Sequence, residues 1–155
     1  MIRPIAGLTL LVLGGTLLTA SLAGVEVRIC PTLEEAAGPA GGPVLLVFFS
    51  TECASCYDDL FEARYLIEKG GFAVTVIGVF SGPRDTLRAF LEKFAWTLPV
   101  VLDRRKTLFR KFQVDIVPYK ALLAGGRAVY RDDPYKDSGR RREDLEKCLK
   151  KMFSR

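Results

Sequence analysis

The sequence predicts an α/β domain with a mixed central β-sheet and helices on both faces. Three observations carry that prediction. Apolar runs of strand length alternate with amphipathic stretches of helical period along most of the chain. The run Val44–Phe49 contains no polar residue, as in a central strand covered on both sides. Near the C-terminus, Ala124-Gly125-Gly126-Arg127 sets a tight turn between two strand patterns, adding an antiparallel hairpin to a parallel core.

The elements follow in order. Residues 25–29 alternate and predict a first strand. Thr32-Leu33-Glu34-Glu35 is a capping box that opens a short helix, which Gly38-Pro39 stops. After Val44–Phe49, residues 53–69 carry helical spacing through Leu60, Phe61, Tyr65 and Leu66, with Gly70-Gly71 as the stop. Residues 72–80 predict a buried strand. Residues 85–96 predict an amphipathic helix with Leu87, Phe90, Leu91 and Phe94 on one side. Residues 99–102 predict a short strand ending at Asp103, and 107–112 a short helix. Residues 116–123 lead into a strand whose hairpin partner is 128–131. The polar stretch 132–139 reads as a connecting loop. Residues 141–153 predict a last helix with Leu145, Cys148, Leu149 and Met152 on one face.

The chain has 155 residues, enough for one domain with a real core. Its net charge is +5. The basic runs Arg104-Arg105-Lys106 and Arg140-Arg141-Arg142 read as solvated surface, and no nucleic-acid-binding motif accompanies them. Histidine is absent, which excludes Ser/His/Asp and Cys/His catalysis and His-containing zinc sites. Arg3 is the only charge before Glu26, and an apolar stretch, residues 5–24, lies between them. Residues 1–23 therefore read as a signal peptide with small residues at Ser21 and Ala23, or as an uncleaved N-terminal membrane anchor. Residues 24–155 form the folded domain. Either reading exports the domain to a periplasmic or other extracytoplasmic compartment where disulfides persist.

Chemistry concentrates in Cys53-Ala54-Ser55-Cys56, at a predicted strand-to-helix junction. The unpaired N–H groups and partial positive charge of a helix N-terminus favour thiolate over thiol. The second cysteine lies one turn along, close enough to close a disulfide. Zinc sites usually pair two such motifs, and a four-cysteine site would have to recruit the isolated Cys30 and Cys148. Those two cysteines are either small buried hydrophobes or a second disulfide worth about 4–5 kcal/mol by loop entropy.

These residues resemble a known family. The strand before the Cys53–Cys56 motif, and Val117-Pro118 ahead of a glycine hairpin, resemble the thioredoxin fold. The extra strand–helix unit from about residue 72 to 96, followed by Leu98-Pro99-Val100-Val101-Leu102-Asp103, resembles its exported TlpA/ResA-like branch of thiol–disulfide oxidoreductases. The resemblance implies Cys53 as nucleophile, Cys56 as resolving thiol, and Pro118 as a cis-proline facing them with Val117 offering backbone to a partner. Asp59 stands where related cytochrome-maturation proteins have a carboxylate, and it reads either as a proton-transfer group or as a solvated first-turn residue. No metal or cofactor is implied; the redox group is the Cys53–Cys56 disulfide. The implied partners are disulfide-containing or dithiol proteins and an upstream thiol electron donor. The expected protein is a monomer that reduces its partners, in cytochrome c maturation or a similar assembly task.

This sequence departs from the pattern at several positions. Glu52 replaces the usual Trp, Ala54-Ser55 the usual Pro-containing pair, Phe61 the helix-kinking Pro, and Tyr119 the Thr after Pro118. Glu52 close to Cys53 would oppose the helix dipole. These departures also motivate a reading as a thioredoxin-fold binding or assembly module without turnover. Leu46 and Ser50 occupy the places where a peroxiredoxin carries Pro and Thr, which disfavours that branch.

Overall fold

The computed structural model describes residues 26–154, so the expected N-terminal signal or anchor, and Val25 of the expected first strand, lie outside the described residues. Among those residues, no helix is long and apolar enough to cross a membrane.

Val44–Phe49 forms β2, and all six of its residues are buried. A strand can be apolar throughout only if both faces are covered, and they are. Leu45, Val47 and Phe49 pack with Leu60, Ala63 and Ile67 of α2 (Ala54–Gly70), Leu87 and Leu91 of α3 (Arg84–Lys93), and Leu145 and Leu149 of α5 (Ser138–Phe153). Val44, Leu46 and Phe48 face the other way, toward Ala36 of α1 (Leu33–Ala37) and Phe112 of α4 (Thr107–Phe112). Burying each such large side chain stabilises the fold by about 1.5–3 kcal/mol relative to exposure.

The sheet has six strands in the order β1-β4-β3-β2-β5-β6. β2 pairs in parallel with β3 (Thr75–Phe80), which pairs in parallel with β4 (Val100–Leu102), and β4 with β1 (Ile29–Cys30). On its other side, β2 pairs antiparallel with β5 (Tyr119–Ala124), which forms the hairpin with β6 (Arg127–Arg131). Gly125 and Gly126 make that turn with φ of 56° and 74°, the left-handed region glycine adopts without strain. The mixed sheet with helices on both faces is the expected architecture, and the β3–α3 unit is the expected strand–helix insertion.

Several boundaries differ from the sequence prediction for local reasons. β1 is two residues rather than five, because it is an edge strand facing only the short β4: Ile29 opposes Val100 and Cys30 opposes Val101. β3 starts at Thr75, after the left-handed cap at Gly71 and a tight turn in which the Val74 N–H donates to the Phe72 carbonyl at 2.8 Å. α3 stops at Lys93 rather than running to 96. Ala95 takes φ 48°, the Trp96 N–H returns to the Leu91 carbonyl at 2.9 Å, and the indole turns into the core at 1% exposure. α5 begins earlier, at Ser138, because the Asp137 side chain caps it by accepting from the Arg140 N–H.

Candidate active site

The dithiol sits where β2 hands over to α2. Cys53 is the N-cap residue of α2, with extended backbone (φ −98°, ψ 106°), and its sulfur accepts from the Cys56 N–H at 3.2 Å. A cysteine sulfur thus takes the place a Ser or Asp oxygen usually fills at a helix start. Cys53 and Cys56 are joined as a disulfide with their Cα atoms 5.3 Å apart. Cys56 is 0% exposed, whereas Cys53 is half-buried, so an approaching molecule meets the Cys53 sulfur first. That sulfur lies 3.5 Å from the Ser55 hydroxyl and 4.0 Å from the Val117 carbonyl oxygen. The Val117–Pro118 bond is cis, and Ile116 beside it is 43% exposed. Glu52 is exposed, with its backbone N–H donating to the Ser50 hydroxyl at 3.3 Å.

The two flanks of the dithiol helix differ. One carries rings: Tyr57, directly after Cys56, stacks 4.1 Å from Phe94 and 4.5 Å from Phe61, and Phe61 meets Trp96 edge-on at 5.6 Å. Phe61 is an anchor of this cluster. The other flank is charged and buried. Asp59, one turn past Cys56, is 6% exposed and accepts from the Lys120 ammonium at 2.7 Å and the Arg141 guanidinium at 3.2 Å. Arg141 also binds both carboxylate oxygens of Asp132 through Nε and a terminal nitrogen, and donates to the Pro118 carbonyl at 2.7 Å. Asp132 accepts the Lys120 backbone N–H at 3.2 Å and the Tyr130 hydroxyl at 3.1 Å.

Two carboxylates thus face two cations, and buried charges persist only with such pairing. Burial alone would raise the Asp132 carboxyl. The Arg141 hydrogen bonds and the Lys120 and Arg141 charges outweigh it and hold the group below the usual carboxylate range. Burial works against the Arg141 guanidinium, but Asp132 and Asp59 raise it further above its already high value. Burial first, and then Asp132, pushes the Tyr130 phenol far up, so it stays a donor.

These contacts correct three sequence readings. Stretch 132–139 is more than a polar connector, because Asp132 is buried at the centre of the cluster. Arg141 is not solvated surface: its neighbours Arg140 and Arg142 are exposed, but it points into the core. Asp59 is not a solvated first-turn residue. Lys120 was missed, although a lysine inside an apolar strand beside β2 is itself a signal that a buried carboxylate must be near.

Cys30 and Cys148 are free. Cys30 packs with Val44, Leu46 and Phe48, and Cys148 against the cluster on the opposite face, so the sheet stands between them. Neither the second disulfide nor a four-cysteine zinc site is formed. Among the described residues, no group of three or more Cys, Asp or Glu side chains is placed to hold a metal.

A family model, AhpC/TSA, matches residues 31–130. No curated protein matches the chain. Solved structures do. StoA from Bacillus subtilis is 18% identical, with a TM-score of 0.57, over 70% of this chain and 82% of its own. A secreted Mycobacterium tuberculosis disulfide oxidoreductase homologous to E. coli DsbE is 15% identical, with a TM-score of 0.53, over 70% and 81%. The exposed lipoprotein thioredoxin Etrx1 from Streptococcus pneumoniae is 19% identical, with a TM-score of 0.59, over 72% and 85%. At these identities the likeness is one of fold, and the fold is thioredoxin-like.

Proposed function

We propose, for a chain that belongs to the AhpC/TSA family, the role of an exported thiol–disulfide oxidoreductase that reduces disulfides in partner proteins. The observation that carries the reading is the pairing of a half-exposed Cys53 sulfur at a helix N-terminus with a fully buried Cys56 bonded to it. Family membership alone leaves the reaction open. Leu46 and Ser50, in place of the Pro and Thr that peroxide chemistry wants, favour disulfide exchange.

In the reduced protein, the Cys53 thiolate attacks one sulfur of a partner disulfide. A mixed disulfide forms, and the other partner sulfur leaves as a thiolate that takes up a proton. Cys56 then loses its proton and attacks the Cys53 sulfur. The Cys53–Cys56 disulfide closes and the second partner thiol is released. Two electrons and two protons have passed to the partner, and an upstream dithiol donor restores the pair. Helix α2 favours negative charge on the Cys53 sulfur, its N-cap. The Val117 carbonyl, next to Pro118, offers a backbone acceptor to the partner's chain, and Asp59 serves proton transfer at the buried sulfur. No cofactor beyond the dithiol takes part. The protein works as a monomer, in cytochrome c maturation or a similar assembly task. Export rests on Arg3 and the apolar residues 5–24, either cleaved or kept as an anchor, and fits the secreted and surface-exposed relatives of like fold.

Cys56→Ala tests the mechanism: mixed disulfides with partner proteins should accumulate through Cys53. If none form while the Cys53 thiol is titratable, the mechanism is wrong. The unusual Glu52 and Ala54-Ser55 favour, as second reading, a docking module without turnover. That reading requires wild-type protein to leave the rate of insulin reduction by dithiothreitol alone unchanged.

A further inference from the structure

We infer that Arg141 is a positioning residue for partner docking, a single guanidinium that fixes the width of the slot between the dithiol helix and the Val117–Pro118 segment. The inference rests on the oxidoreductase reading and deepens it. The occupant is an extended peptide segment carrying the partner disulfide.

The geometry carries the argument. Arg141 belongs to α5, yet it donates to Asp59 of α2 at 3.2 Å and to the Pro118 carbonyl at 2.7 Å. Asp59 stands one turn after Cys56, and Pro118 follows the Val117 carbonyl, which lies 4.0 Å from the Cys53 sulfur. The two walls of the slot therefore share one donor group. The anchor is itself held in place by hydrogen bonds. Asp132 holds the guanidinium through both carboxylate oxygens and also pairs with the Lys120 backbone in both directions: it accepts that residue's N–H at 3.2 Å and donates its own to that residue's carbonyl at 2.9 Å. The Tyr130 hydroxyl bridges Asp132 and the Arg141 carbonyl.

Stability alone does not call for this arrangement, since apolar residues of like volume often replace buried ion clusters without loss. An apolar side chain could not orient the Pro118 carbonyl, and a lysine has no second nitrogen to hold Asp132, as the Arg141 Nε does, while the first meets the Pro118 carbonyl and Asp59.

The test uses the full chain, with insulin as protein disulfide and dithionitrobenzoate as a small disulfide that needs no backbone docking. In Arg141→Lys, the KM for insulin should rise about tenfold with kcat within about twofold, the effect of one charge-assisted hydrogen bond on binding. The rate constant of reduced Cys53 with dithionitrobenzoate should change far less. The Pro118 carbonyl carbon resonance should move upfield. If Arg141→Lys does not fold, Asp132→Asn/Arg141→Gln keeps the Asp59–Lys120 pair and should give the same split. Equal losses with both disulfides would place the effect on the sulfur and overturn the inference. So would a lower melting temperature with unchanged insulin kinetics. Wild-type protein that reacts with dithionitrobenzoate but not with insulin overturns the oxidoreductase reading instead, and the docking role of Arg141 with it.

Discussion

The molecule holds two pairs of cysteines, and they have opposite surroundings. Cys53 and Cys56 share one helical turn, with a helix N-terminus beneath them, a half-exposed sulfur in front and a charge cluster behind. Cys30 and Cys148 sit on opposite faces of the sheet, and burial pushes both of their thiols up. The residue type is the same, but one pair is bonded within a single helical turn and the other two are free and packed on opposite faces of the sheet. On the proposed function, spacing and electrostatics rather than cysteine content set which pair reacts.

The comparison breaks if the silent pair proves necessary. Cys53→Ser should lower insulin reduction by at least about 10³-fold, as removal of a nucleophile does. Cys148→Ser, near the end of the last helix, should stay within about twofold. A large loss in Cys148→Ser would show that the second pair takes part.

The next largest effect concerns what lies behind the reactive pair. Asp132→Asn leaves Arg141 and Lys120 with Asp59 as their only carboxylate, and urea unfolding should show a loss of about 3–5 kcal/mol. Glu146→Gln, which breaks an exposed i,i+4 pair with Lys150, should cost no more than about 0.5 kcal/mol.

The same carboxylate gives a pH dependence of known sign. The folded state holds Asp132 below its ordinary value of 3.8, so its contribution is present above that value. It is lost as pH falls through 3.8 toward the lower folded value. Urea midpoints should therefore drop steeply below about pH 4, and Asp132→Asn should flatten that drop.

The smallest effect sharpens the contrast within the silent pair. In native oxidised protein, a thiol reagent should label the half-buried Cys148 slowly and Cys30, at 1% exposure, only after unfolding. Non-reducing peptide mapping should yield the Cys53–Cys56 bridge and no Cys30–Cys148 bridge.

Much of this was readable from local pattern. Val44–Phe49 and Thr107–Phe112 match their predicted spans because an all-apolar strand and a single short helix are each specified within a few residues. The helix start at the dithiol and the glycine turn at 125–126 are equally local, although the structure makes Cys53 the cap rather than the first helical residue. The charge cluster was not readable, because its members are 61 and 82 residues apart along the chain. Arg141 looks like the middle of a basic run, and helical spacing alone does not say which of three arginines turns inward. Asp132 looks like the start of a polar loop. Only Lys120, a charge inside an apolar strand, betrayed the cluster.

By itself the sequence determined the order of strands and helices, the dithiol with its three-residue spacing, and a helix start beneath it, since propensity, capping and period act over a few residues. The tertiary structure decided which charges are buried, that Cys30 and Cys148 stay apart, and that one arginine joins the dithiol helix to the Pro118 carbonyl. Those outcomes depend on which faces the sheet brings together, and that follows from packing the whole chain around one core.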